Sequence, residues 1–158
     1  MRLEQEIKQK SFKSEYQKLA VNIHFTHGWL ASCGKGLFEN HDITTTQYNI
    51  LRILRGQYPS PISINLLKER MLDKMSDTSR LIERLRIKGL VDRKTCEKDR
   101  RKSDVKITEK GLQLLENLDD IDLKYEKLLE GLTLSEAKTL NDLLDKMRGL
   151  NGRKKNTL

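Results

Sequence analysis

Apolar residues recur every three or four positions along most of this chain, and the runs break where the sequence supplies a cap or a stop. From Tyr16, the positions Leu19, Ile23, Leu30, Leu37 and Phe38 keep helical spacing and predict a long first helix, with Gly34 and Gly36 loosening its last turns. Thr44 is placed to cap a second helix with the stripe Tyr48, Leu51 and Leu54, which the run Gln57-Tyr58-Pro59-Ser60-Pro61 ends. Ser63 caps a short third helix through Leu66, Leu67 and Met71. After a break at Asp73 to Ser76, a fourth helix carries Thr78, Leu81, Ile82 and Leu85 on one face, and Gly89 closes it. Two short helices joined by a tight turn have helix-turn-helix geometry.

Beyond Gly89 the period changes. Leu90, Val91, Arg93 and Thr95 predict a strand, Glu97 to Lys102 a turn, and Val105 with Ile107 a returning strand alternating with Asp104 and Lys106. Thr108 then caps a long fifth helix with Leu112, Leu115, Leu118, Ile121, Tyr125 and Leu128. Thr133 and Glu136 form a capping box opening a sixth helix, with Leu134, Ala137, Leu140, Leu144 and Met147 on one side. The expectation is a mainly α chain with a small β-hairpin, one domain over 1–158. The first and sixth helices have more apolar surface than such a lobe can cover alone, which predicts a two-fold dimer.

Composition narrows the class. Of 158 residues 36% are hydrophobic and 34% charged, too apolar for disorder and charged enough for long solvated helices. Two distant cysteines, Cys33 and Cys96, give neither a disulfide framework nor a four-ligand zinc site. No apolar run reaches the length of a signal peptide core or a membrane span, so the expectation is a cytoplasmic protein with no membrane partner.

Net charge is +8, and residues 68–106 supply +6 of it, with 14 lysines and arginines against 8 acidic residues. A basic stretch of this kind can neutralise phosphates and draw the chain to a polyanion. With its apolar stripe inward, the fourth helix presents Ser76, Arg80, Glu83, Arg84 and Ile87 outward, and the N-terminal half of such a helix is the part that reaches base edges. Lys74 and Asp77 join Ser76, Arg80 and Arg84 as candidate contacts, Asp77 reading better as a partner of the helix dipole than as an acceptor from cytosine. In the hairpin turn, Lys98, Arg100, Arg101 and Lys102 crowd like charges that a polyanion would relieve. An arginine there could enter a minor groove while Asp99 holds its neighbour.

These residues resemble the MarR (multiple antibiotic resistance regulator) family of transcription factors over about residues 14–148. The resemblance lies in Ile43-Thr44-x-x-Gln47-Tyr48-x-x-Leu51, in Ser79-Arg80-Leu81-Ile82-Glu83-Arg84-Leu85 followed by Lys88-Gly89-Leu90-Val91-x-Arg93, and in Asp99-Arg100-Arg101 leading to Val105-x-Ile107-Thr108-x-x-Gly111. It implies a winged helix-turn-helix fold, a dimer of six-helix subunits, with a DNA-binding lobe over 44–108 and a helical dimerisation region formed by 1–43 and 109–148. It further implies Ser76, Ser79 and Arg80 on the recognition helix, Arg101 at the minor-groove position of the wing, and double-stranded DNA as partner. The turn Asp73-Lys74-Met75 replaces the family's more usual Leu-Ser-Lys-like sequence, so Asp73 could serve as the cap of the recognition helix in its place. A ligand-relieved repressor acting on a pseudopalindromic operator is the function expected. Tyr16, Ile23, His27, Trp29, Tyr48 and Leu112 are the candidate pocket for a small aromatic or phenolic effector.

Other chemistries find less support. His24, His27 and His41 raise a metal-sensing variant, for which the resemblance implies further ligands from the fifth helix. Residues 109–130 contain no His or Cys, Asp119, Asp120 and Asp122 could offer oxygens, and His27 reads better as a packed residue of the apolar stripe, so no metal and no cofactor is expected. Cys33 and Cys96, the latter among cations, raise an oxidant-sensing variant. A winged helix used on protein or RNA shares the fold and is the rival class. No nucleophile elbow, phosphate-cradling glycine loop or metalloprotease motif occurs, and no enzyme is expected.

Overall fold

The computed structural model describes residues 2–95 and 103–153. Their contacts divide them into two compact units, one running to Leu118 and one from Asp119.

In the first unit a short α1 (Leu3–Glu6) precedes α2 (Glu15–Phe38), and Glu4 pairs with Lys18 of α2 at 2.5 Å. Ser14 caps α2 by accepting from the Gln17 amide, and the helix continues through Gly34 and Gly36 without a break. Most of α2 lies open in the isolated chain, Tyr16 at 85% exposure and Trp29 at 42%, so its apolar face is not part of this unit's core. Only at its end does α2 become buried, where Phe38 lies against Tyr48 with ring centroids 4.7 Å apart.

A single 3-10 turn (Glu39–His41) leads to α3 (Thr45–Arg55), whose start is the expected cap. Thr44 Oγ1 accepts from the Gln47 amide, and Gln47 Oε1 accepts from the Thr44 amide, so two donors that a helix start leaves unpaired are satisfied reciprocally. Ile50, Leu51, Ile53 and Leu54 of α3 are buried and form the centre of the core. β1 (Ile62–Ser63) is followed by α4 (Ile64–Arg70), capped by Ser63, and then by α5 (Thr78–Ile87). Thr78, Ile82 and Leu85 of α5 face inward, as the helical spacing predicts, with Leu81 half-buried.

Gly89, at φ 72°, ends α5 in the left-handed region that glycine adopts without strain. The Leu90 amide reaches back to Leu85 O and the Gly89 amide to Arg86 O, a pairing that satisfies the last carbonyls of the helix. β2 (Val91–Thr95) and β3 (Ser103–Ile107) are antiparallel, Val91 opposite Ile107 and Thr95 opposite Ser103. β1 adds a third strand that the sequence pattern did not predict, with Ile62 opposite Val105. Its side chain is buried beside the core face of β3, where Val105 and Ile107 alternate with outward Asp104.

The expected fifth helix is interrupted. α6 (Glu109–Glu116) stops at Asn117, and α7 (Ile121–Leu128) begins after Asp119 and Asp120. Asn and Asp bond their own backbone well outside helices, which favours a stop here. Because Leu118 and Ile121 are both buried and three apart, the apolar stripe runs across the break and conceals it. The second unit comprises α7 and α8 (Leu134–Arg153), the latter opened by the Thr133 and Glu136 capping box.

Thr108 caps α6 by accepting from the Gly111 amide, and a Cβ on residue 111 would overlap the Leu90 carbonyl and stand 2.7 Å from Ile107 Cγ1. Backbone cannot yield there as a flexible side chain would. Gly111→Ala is expected to destabilise the chain by about 2–3 kcal/mol. A urea titration checks this: the midpoint falls while the slope stays the same.

Candidate nucleic-acid interface

The surface formed by α4, α5 and the turn between them starts from Met71, whose buried thioether accepts from Thr78 Oγ1 at 3.5 Å and so fixes the two helices at the turn. Asn49 of α3 accepts from the Leu72 amide at 3.0 Å. Asp73 then folds the turn on itself, accepting from the Met75 amide at 2.9 Å and from the Ser76 hydroxyl. These bonds hold the Asp73 carboxyl below its ordinary value of 3.8, Ser76 first and the Met75 amide next, with a smaller electrostatic contribution from His27 on α2.

Two expectations are corrected here. Asp73 is not the helix cap. That role belongs to Asp77, which accepts from the Arg80 amide at 3.1 Å and places a carboxylate at the positive end of the helix. Ser76 lies before the helix rather than in its N-terminal half, because α5 begins at Thr78. The spacings Asp73-x-x-Ser76 and Asp77-x-x-Arg80 both carry a local bonding pattern. Only the second has a helix after it.

Along α5, Ser79, Arg80 and Arg84 are exposed, as is Lys74 in the turn. Glu83 does not neutralise either outward arginine, because Arg86 takes it in a two-pronged pair at 2.7 and 3.0 Å. The Arg86 guanidinium lowers the Glu83 carboxyl and is itself raised by it. Among the described residues Arg80 and Arg84 have no ion pair. At the base of the hairpin, half-buried Arg93 of β2 donates to Ser103 Oγ of β3 at 3.3 Å, a link the sequence pattern did not single out. The wing candidates Lys98, Asp99, Arg100, Arg101 and Lys102 lie outside the described residues, as does Cys96.

The candidate effector residues are spread over three helices. Tyr16, His27 and Trp29 are exposed on α2 and Ile23 is half-buried there. Tyr48 is half-buried on α3, accepting from Arg52 Nη1 at 2.9 Å, and Leu112 is half-buried on α6. A cleft of about 540 Å³ lies elsewhere, lined by Lys35, Phe38, Ile43, Gln47, Arg84 and Ile87 among others, and none of the six borders it. Lys88, also on its edge, bonds Asp42 through both the carboxylate, at 3.0 Å, and the main-chain carbonyl. Among the described residues no group of three or more His, Cys, Asp or Glu is arranged to hold a metal ion, and no helix is long and apolar enough to cross a membrane.

A family model described as the MarR family matches residues 41–102, the span from the start of α3 to the hairpin. The HTH-type transcriptional repressor IacR of Pseudomonas putida is 28% identical over 120 residues, covering 75% of this chain and 71% of the repressor. A MarR-like transcription regulator from Bacillus cereus superposes with a TM-score of 0.74 at 25% identity, over 85% of this chain and 96% of its own. A cysteine-to-serine mutant of MarR from E. coli, crystallised with operator DNA, gives 0.73 at 27% identity, over 87% and 99%.

The Asp73 turn generates a pH test. A carboxyl depressed in the folded chain adds stability above its unfolded value and loses it as pH falls through the folded value. The stability difference between the wild type and Asp73→Ala is therefore expected to be flat between about pH 8 and pH 5. It should shrink only below the ordinary 3.8, as urea titrations at successive pH values would record.

Proposed function

We propose that the chain is a member of the MarR family, a homodimeric, sequence-specific DNA-binding repressor acting in the cytoplasm. The observation that carries the reading is the cationic outer face of α5, where Arg80 and Arg84 stand clear of Glu83 beside a turn held rigid by Asp73. A helix so presented can enter a major groove. Arg80 and Ser79, in its first turn, then meet base edges, whereas Lys74 and Arg84 meet phosphates. The wing residues Lys98, Arg100, Arg101 and Lys102 add contacts from the adjacent groove.

The lobe over 44–108 binds DNA in this reading, and 1–43 with 109–148 make the dimer. The open apolar face of α2 supports that division, since a second copy would cover Leu19, Phe25 and Trp29. No catalytic step is part of it. A small aromatic or phenolic effector relieves repression, and releasing operator tenfold requires about 1.4 kcal/mol of preference for the DNA-incompetent form.

Footprinting on the DNA upstream of the protein's own gene tests the reading. Protection is expected over a pseudopalindrome whose half-sites lie roughly 34–36 Å apart, and a single protected half-site would refute the dimer. Within that site, Arg80→Ala should lose about 1–3 kcal/mol and relax preference at one base pair. Lys98→Ala should instead weaken all sequences alike and reduce the salt slope by about one. Binding titrations at several salt concentrations separate the two.

A further inference from the structure

Met75 is 94% exposed in a turn that hydrogen bonds to the Asn49 and Asp73 side chains hold in place. Its amide is tied to Asp73, the preceding segment is tied through Leu72 to Asn49, and the next residue is held by its hydroxyl. The side chain therefore projects from a fixed backbone, not from a loose loop. It stands two residues before the cap of α5, with Lys74, Ser79 and Arg80 exposed around it in sequence. Single exposed apolar residues are ordinary on protein surfaces. This one occupies the end of the helix-turn-helix that approaches the bases, where a lysine would be the simpler choice for a polyanion.

A duplex offers little apolar surface in its major groove beyond the C5 methyl group of thymine. An unbranched, polarisable thioether adapts its shape to such a small target, and burying both against each other removes apolar surface from water. The surrounding cations supply the complementary charge that brings DNA to this face. We propose that Met75 reads a thymine methyl group, one in each half-site, and so sets base preference at a position no polar side chain of α5 contacts. The proposal rests on the DNA-binding reading above and adds a specificity-determining residue to it.

The test uses the full chain and a duplex enriched by the wild-type protein from a random-sequence library. Each thymine is replaced in turn by deoxyuridine, which removes the methyl group and nothing else. At one position per half-site, uracil should weaken wild-type binding about fourfold, the loss of one buried methyl-sized group. Met75→Ala, which removes the contact from both half-sites, should weaken binding to the parent duplex about sixteenfold and show no further loss with uracil there, while Met75→Leu keeps most of the affinity. The salt slope should be unchanged, because no phosphate contact is removed. Independent effects of uracil and Met75→Ala at every thymine, or a reduced salt slope, would overturn the proposal and leave the DNA-binding reading standing. Failure of the wild type to enrich any duplex would overturn that reading and this inference together.

Discussion

The left-handed turn at Gly89 is the point from which α5 and the β2–β3 pair of the first unit are arranged. Its conformation lets the chain leave α5 and enter β2 across only three residues, which a side chain at that φ would oppose. Thr108 then fastens the turn from the far end of the hairpin, its hydroxyl donating to Gly89 O at 2.7 Å and its amide to Leu90 O at 3.1 Å. Lys110 adds a bond to Lys88 O at 2.9 Å. The end of one helix, the start of a strand and the cap of the next helix are thus a single bonded cluster, and Gly111 is small because that cluster leaves no room for a Cβ.

Much of this was legible because the governing interactions are local. Thr44, Ser63 and Thr108 each bond an amide three residues ahead, so the cap and its helix lie in the same short stretch of sequence. Inward positions of α5 and of β3 follow their periods for the same reason. What escaped depends on distant partners or on competition between similar residues. β1 is two residues long and exists only through its pairing with β3, some forty positions away. The break after α6 is hidden by an apolar stripe that keeps helical spacing across it. Asp73 and Asp77 offer the same chemistry four residues apart, and burial of Thr78 decides that the helix starts after the second.

Charge is distributed with a similar division. Arg86 is spent on Glu83, and Lys88 is held by Asp42 at the junction of α2 and α3, where Asp42 itself lies at φ 51°. These exposed pairs contribute little stability individually. Their effect is positional: the Lys88 pair ties the end of α5 to the segment before α3, and the Arg86 pair, within α5, occupies Glu83 and leaves the cations nearer the front of the helix to solvent or a ligand.

The two faces of α5 also bear on how such a protein can diverge. Thr78, Ile82 and Leu85 pack inward and Asp77 caps the helix, so folding draws on those side chains and asks almost nothing of Ser79, Arg80 or Arg84. Substitutions on an exposed face away from such features usually change stability by less than about 0.5 kcal/mol. A duplicated copy of this chain can accumulate changes there without passing through an unfolded ancestor, and the two copies can come to govern different genes while retaining one architecture.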